Sequence, residues 1–129
     1  MILLNADFTE LYNWIPVGFI VIFVILFVEY SLLKYFLSLE DKKADVATAT
    51  FFSNLLSAIA GIQLALDGRF SFVQYCLLAF AISVIVETIV NILFLKRNAS
   101  ISKIIKATFL TNLVTNIFAS LLIGWNFYK

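Results

Sequence analysis

Four long apolar runs, each of about 20 or more residues, constrain this chain more than any other feature. They cover roughly residues 15–36, 46–66, 71–95 and 104–125, with short polar connections between them. A stretch of that length spans the hydrocarbon of a bilayer as a helix, and every backbone polar group is then satisfied within the segment. Composition agrees: 63% of the 129 residues are hydrophobic and 13% charged, and the mean hydropathy is +1.03. A soluble domain of this size has too little interior to hide so much apolar surface. The expected fold is all-α: a single polytopic membrane domain over residues 1–129 with four transmembrane helices.

The runs are related in pairs. Residues 49–54 read Ala-Thr-Phe-Phe-Ser-Asn, and residues 107–112, 58 positions on, read Ala-Thr-Phe-Leu-Thr-Asn. The same offset carries Glu29 onto Glu87, Ser57 onto Thr115 and Ile59 onto Ile117. The chain therefore reads as two tandem helical hairpins, about residues 15–66 and 71–126. A hairpin is an even number of spans, so both copies enter the membrane in the same direction. The expected relation is a pseudo-two-fold axis along the membrane normal.

Local signals set the boundaries. Pro16 suits a first helical turn, where its missing N–H costs nothing. Asp45 is placed to cap the second helix, and Asp67-Gly68-Arg69 reads as a tight turn between antiparallel neighbours. Residues 1–13 carry Asp7 and Glu10 among apolar side chains, which suits a short interfacial helix leading to Trp14 or a frayed end. The N-terminus lacks the basic region of a secretory signal, so the first span is expected to remain as a helix.

Lysine and arginine give the orientation. Lys34, Lys42 and Lys43 flank the first connection; Lys96, Arg97, Lys103 and Lys106 flank the third; the other side has Arg69 and Lys129. The expected arrangement is a cell inner-membrane protein with both basic loops cytoplasmic and both termini outside. Tyr12, Trp14, Phe70, Phe72, Tyr75, Trp125 and Tyr128 would then mark the outer interface, and Tyr30, Tyr35 and Phe94 the inner one.

Polar residues inside the spans carry the functional argument. At 1.5 Å per residue, Glu29 lies ~21 Å along the first helix and Asn54 ~12 Å into the second, which puts both at one depth in the inner half of the bilayer. The repeat brings Glu87 and Asn112 to the same level. Thr50, Asn54, Ser57 and Gly61 fall within a roughly 60° arc, as do Thr108, Asn112, Thr115 and Ala119. Such stripes let helices approach closely and hydrogen-bond across the contact. Ser83, Glu87 and Asn91 share a face of the third helix, whereas the first helix has Ile25 and Leu33 around Glu29. Carboxyl groups are expensive in hydrocarbon, so Glu29 and Glu87 are expected to face the interior. The expected site is an intramembrane polar layer of Glu29, Asn54, Ser57, Glu87, Asn91, Asn112 and Thr115.

Several function classes find no residues to support them. With no His and one Cys, Cys76, the chain has no intrachain disulfide, no His- or Cys-rich metal site and no His-based relay. No catalytic, cofactor-binding or metal-binding residues are assigned, and no enzyme activity or cofactor is expected. A net charge of +1 gives no reason to expect nucleic acid as a partner. The expected partners are the lipid bilayer and other membrane-protein subunits or further copies of the chain.

Pro16, Glu29, Lys42, Lys43 and the run Ser53-Asn54-x-x-Ser57-x-x-x-Gly61 together resemble the cyanobacterial filament-integrity family of small septal membrane proteins, over about residues 15–65. The resemblance implies a non-enzymatic role supporting cell–cell septal junctions. Small multidrug exporters also place a Glu in the first helix but lack this direct repeat. Four-helix glutathione-dependent enzymes need arginines near their site, and no Arg lies within a span here. Quinone-linked thiol redox proteins need a cysteine pair. The expected function is a structural or scaffold subunit of a membrane complex, in cell–cell junction or envelope assembly. The alternative is a small ion- or proton-coupled channel or transporter using the Glu/Asn layer.

Overall fold

A computed structural model describes the backbone of residues 8–67 and 69–127, and side-chain surroundings within residues 19–121. The protein is four α-helices: α1 Phe8–Leu37, α2 Lys43–Asp67, α3 Phe72–Leu95 and α4 Ile101–Phe127. There is no strand among the described residues. All four helices contain a stretch long and apolar enough to cross a membrane, from Phe19–Leu37 to Ile101–Leu121. They form a closed ring in which α1 and α3 each pack against both α2 and α4. Among the described residues, the backbones of α1 and α3, and of α2 and α4, stay more than 8 Å apart across the ring.

The helix ends differ from the sequence expectation in informative ways. α1 begins at Phe8, not at Ile15, so Pro16 lies inside the helix, where its ring nitrogen cannot donate to the carbonyl four residues back. Residues 1–7 of the expected interfacial helix, and the turn residue Gly68, lie outside the described residues. So do the side chains of Tyr12, Trp14, Phe72, Trp125 and Tyr128 from the expected outer belt. α2 begins at Lys43, which puts Asp45 within the first turn instead of at the cap. A carboxylate there still complements the positive end of the helix dipole. α3 has a full capping box: the Gln74 N–H donates to Ser71 Oγ at 3.3 Å, and the Ser71 N–H donates to Gln74 Oε1 at 3.0 Å. This satisfies donors that the helix itself leaves unpaired. At the start of α4, the Lys103 N–H donates to Ser100 Oγ at 3.3 Å.

α1 stops through a Schellman turn. The Ser38 N–H donates to Tyr35 O and the Leu39 N–H to Lys34 O, both at 3.1 Å, the two bonds that define this motif. Leu39 then turns back into the core. The turn needs a left-handed residue, and Ser38 sits at φ 56°, where an L side chain crowds the following carbonyl. Ser38→Gly is therefore expected to stabilise the protein by about 0.5–1 kcal/mol and Ser38→Val to destabilise it by about 1 kcal/mol. Thermal unfolding in detergent micelles measures both.

The tightly packed core lies at the end of the bundle that carries the two basic loops. Leu37, Val46 and Ala49 are buried there with their repeat equivalents Leu95, Ile104 and Ala107. Two contacts tie the hairpins together at this end: Lys103 Nζ donates to Leu37 O at 3.2 Å, and Asn98 Nδ2 to Asp45 Oδ2 at 3.1 Å. The first sets a cation on the negative end of α1, where the helix dipole favours it. The Lys34–Glu40 ion pair at 3.0 Å is largely exposed and adds little.

The outer surface is the inverse of a soluble protein's. Phe19, Phe23 and Phe27, one turn apart, are 60%, 70% and 70% exposed, and Ile85, Ile89 and Leu93 on α3 project outward in the same way. Contiguous apolar surface of this kind needs lipid or a partner against it. The charged exceptions, Glu29 and Glu87, are both buried.

Candidate functional site: an intramembrane ring of carboxyl, amide and hydroxyl groups

Glu29 and Glu87 lie inside the bundle, each 4% exposed. The expected inward orientation of both acids is what the structure has. Each uses both carboxyl oxygens as acceptors, and the donors come from the two helices that flank it. Glu29 on α1 accepts from Asn54 Nδ2 on α2 and from Thr115 Oγ1 on α4 at 2.8 Å. Glu87 on α3 accepts from Asn112 Nδ2 on α4 at 2.7 Å and from Ser57 Oγ on α2 at 3.0 Å. Four hydrogen bonds thus join α1 to α2, α1 to α4, α3 to α4 and α3 to α2, which are the four packed pairs of the ring.

The bonds follow the repeat. The offset that turns Glu29 into Glu87 turns Asn54 into Asn112 and Ser57 into Thr115. Within a hairpin the acid accepts from the amide; between hairpins it accepts from the hydroxyl of the other copy. The buried positions obey the same offset, with Thr50 matched by Thr108 and Ser53 by Thr111.

The amides and hydroxyls are held in turn. Asn54 Nδ2 also donates to Thr50 O at 2.9 Å, and Asn112 Nδ2 to Thr108 O at 3.1 Å. One amide nitrogen has two hydrogens, so it can bridge its own helix and the acid on the neighbour. A hydroxyl has one. Thr115 Oγ1 lies near Thr111 O at 3.1 Å as well as Glu29, and Ser57 Oγ lies 3.2 Å from Asn54 O as well as 3.0 Å from Glu87. The carboxyl is the closer and stronger acceptor in each case.

Beside the acids the two halves differ in one exchange of an apolar for an amide side chain. Asn91 on α3 corresponds to Leu33 on α1, and both are buried. Asn91 Nδ2 donates to Thr108 Oγ1 at 3.0 Å. Thr50, the equivalent of Thr108, faces a leucine in place of an amide and donates back to Val46 O at 2.8 Å. Between the acids lies a small cavity lined by Glu29, Leu33, Thr50, Ser53, Glu87, Asn91, Thr108 and Thr111, with room for about one water-sized occupant.

No protein-family model, curated protein or solved structure matches the chain.

All seven residues expected in the polar layer take part. Glu29, Asn54, Ser57, Glu87, Asn112 and Thr115 make up the four-bond ring, and Asn91 lies beside it. The hydroxyls of Ser53 and Thr111 lie outside that expectation, although the repeat aligns them one residue before each asparagine. Gly61 departs from it in the other direction. A Cβ built on Gly61 would meet nothing within 4 Å, so this glycine does not mediate a close helix approach. Gln63 is exposed, and Asn116 donates to Asn112 O on its own helix at 3.0 Å.

Proposed function

We propose that this protein is a non-enzymatic, structural subunit of a membrane assembly: a rigid four-helix unit that joins other membrane subunits or further copies of itself. The observation that carries this reading is how the acids are used. Both oxygens of each carboxyl group accept from neighbouring helices, so the most expensive residues in the membrane are committed to holding the bundle closed. The wide apolar exterior supplies the surface through which such a unit meets lipid and partners. The cell inner membrane, with the basic loops cytoplasmic and both termini outside, is the proposed setting, on the strength of the lysine and arginine bias. The matched contacts support two hairpins related by an approximate two-fold axis along the membrane normal.

A channel or transporter built on the same layer is less well supported. Between the acids and the basic loops lies a plug of Leu37, Leu95, Val46 and Ile104, each at most 2% exposed. Affinity purification from native membranes in mild detergent tests the proposal. Recovery within a stable larger complex is the expected result. Recovery as a lone small oligomer, together with ion flux in proteoliposomes that Glu29→Gln/Glu87→Gln abolishes, would overturn it.

A further inference from the structure

The cavity between the two glutamates has a chemistry that the helix-joining role does not use. Apart from Leu33, every residue lining it offers oxygen: two carboxyl groups, the amide of Asn91 and the hydroxyls of Thr50, Ser53, Thr108 and Thr111. Asn91 and Thr111 are 2% and 3% exposed, yet Asn91 Oδ1 and Thr111 Oγ1 have no hydrogen-bond partner. Buried polar atoms left unpaired cost stability, and these two border the same space as both acids. No Lys or Arg lines it, so no side chain offsets the carboxyl charge there.

We infer that this cavity is a binding site for a single dehydrated alkali cation, held by Glu29 and Glu87 with Asn91 Oδ1 and Thr111 Oγ1 as neutral ligands. Hard cations take oxygen ligands from carboxylates, amides and hydroxyls, which is the donor set present. The space for about one water-sized particle suits an ion without its hydration shell. The donors are oxygen, with no imidazole or thiolate among them, which directs the site away from transition metals, and the space has no room for the several waters that magnesium retains. One monovalent cation balances one ionised carboxylate, so the other glutamate keeps its proton and the site is neutral with the ion bound. This inference goes beyond the structural role and does not depend on it: the site could hold its ion whether or not the protein joins a larger assembly.

The test uses the purified full chain in mild detergent, with melting followed in sodium, potassium and choline chloride at one ionic strength. Binding to the folded state alone raises the melting temperature in a saturable way. A saturable rise of several degrees in sodium or potassium over choline is expected, together with retention of radioactive sodium or rubidium in equilibrium dialysis. Glu29→Gln/Glu87→Gln is expected to remove the rise. Its two amides can still accept from Asn54 and Asn112 and donate to Thr115 and Ser57, whose own hydrogens then turn to Thr111 O and Asn54 O. Thr111→Val is the second variant. It removes one ligand and an unpaired buried hydroxyl, so melting in choline should hold or rise while cation affinity falls about tenfold, the loss of one ligand-scale interaction. Equal melting in all three salts with no retained ion would overturn the inference. So would a salt effect unchanged in both variants.

Discussion

Leucine at both Glu29 and Glu87 is expected to unlock the bundle, whereas glutamine at both is expected to leave it folded. The difference follows from the donors. Leucine fills similar volume but leaves Asn54 and Thr115 facing carbon at one site, and Asn112 and Ser57 at the other. An orphaned buried donor costs about 1–3 kcal/mol. The hydroxyls can recover part of this by turning to carbonyls on their own helices, at 3.1 Å for Thr115 and 3.2 Å for Ser57. The amides keep one bond each, to Thr50 O and Thr108 O. The net expectation is a loss of about 2–4 kcal/mol for the double leucine variant and less than about 1 kcal/mol for the double glutamine variant. Unfolding by mixed detergent titration reads both. Equal stability of the two variants would mean that the four bonds contribute nothing to holding the helices together.

The second large effect belongs to the packed end. Ala49 and Ala107 are 0% and 2% exposed, at matched positions where helices meet beside Val46 and Ile104. Leucine at either position forces three extra carbons into a filled space, which costs about 1–3 kcal/mol when neighbours must shift. Ala49→Leu and Ala107→Leu are each expected to lower the unfolding midpoint. Because both alanines belong to one buried cluster, the double variant should depart from the sum of the single ones. Ile62→Leu, at a site 60% exposed on the outer face, is the control and should change little. Tolerance of leucine at both alanines would mean that this end of the bundle is loosely packed.

Much of this arrangement is legible in the sequence alone. Counting 1.5 Å per residue from the apparent span ends places Glu29 and Asn54 at one depth, and the offset places Glu87 and Asn112 beside them. Those estimates need only helix geometry, which is local. The start of α1 is harder to read, because Pro16 marks a favourable first turn but does not forbid a helix that begins earlier. The pairing of Glu29 with Thr115 spans 86 residues and depends on which helices become neighbours, which no periodicity encodes. Asn98 with Asp45 is the same kind of contact, made only when the connection between α3 and α4 meets the start of α2. Gly61 shows the opposite limit: its place on the small-residue stripe suggests a close approach, but a stripe says nothing about how far along it the neighbour stays in contact. Ser53 and Thr111 stand on the repeated motif, yet a hydroxyl beside an asparagine reads as ordinary helix packing until a cavity is seen next to it.

The reciprocal bonding has a consequence for the unit of assembly. Each hairpin contains both halves of the contact between hairpins: an acid that accepts, Glu29 or Glu87, and a hydroxyl that donates, Ser57 or Thr115. A surface that carries both halves is self-complementary, the requirement for an isologous dimer. At these contacts, then, the chain is wired like a homodimer of two-helix subunits whose copies are fused into one polypeptide. Only the fusion allows Leu33 and Asn91 to differ, since a true homodimer would have to place the same residue on both sides.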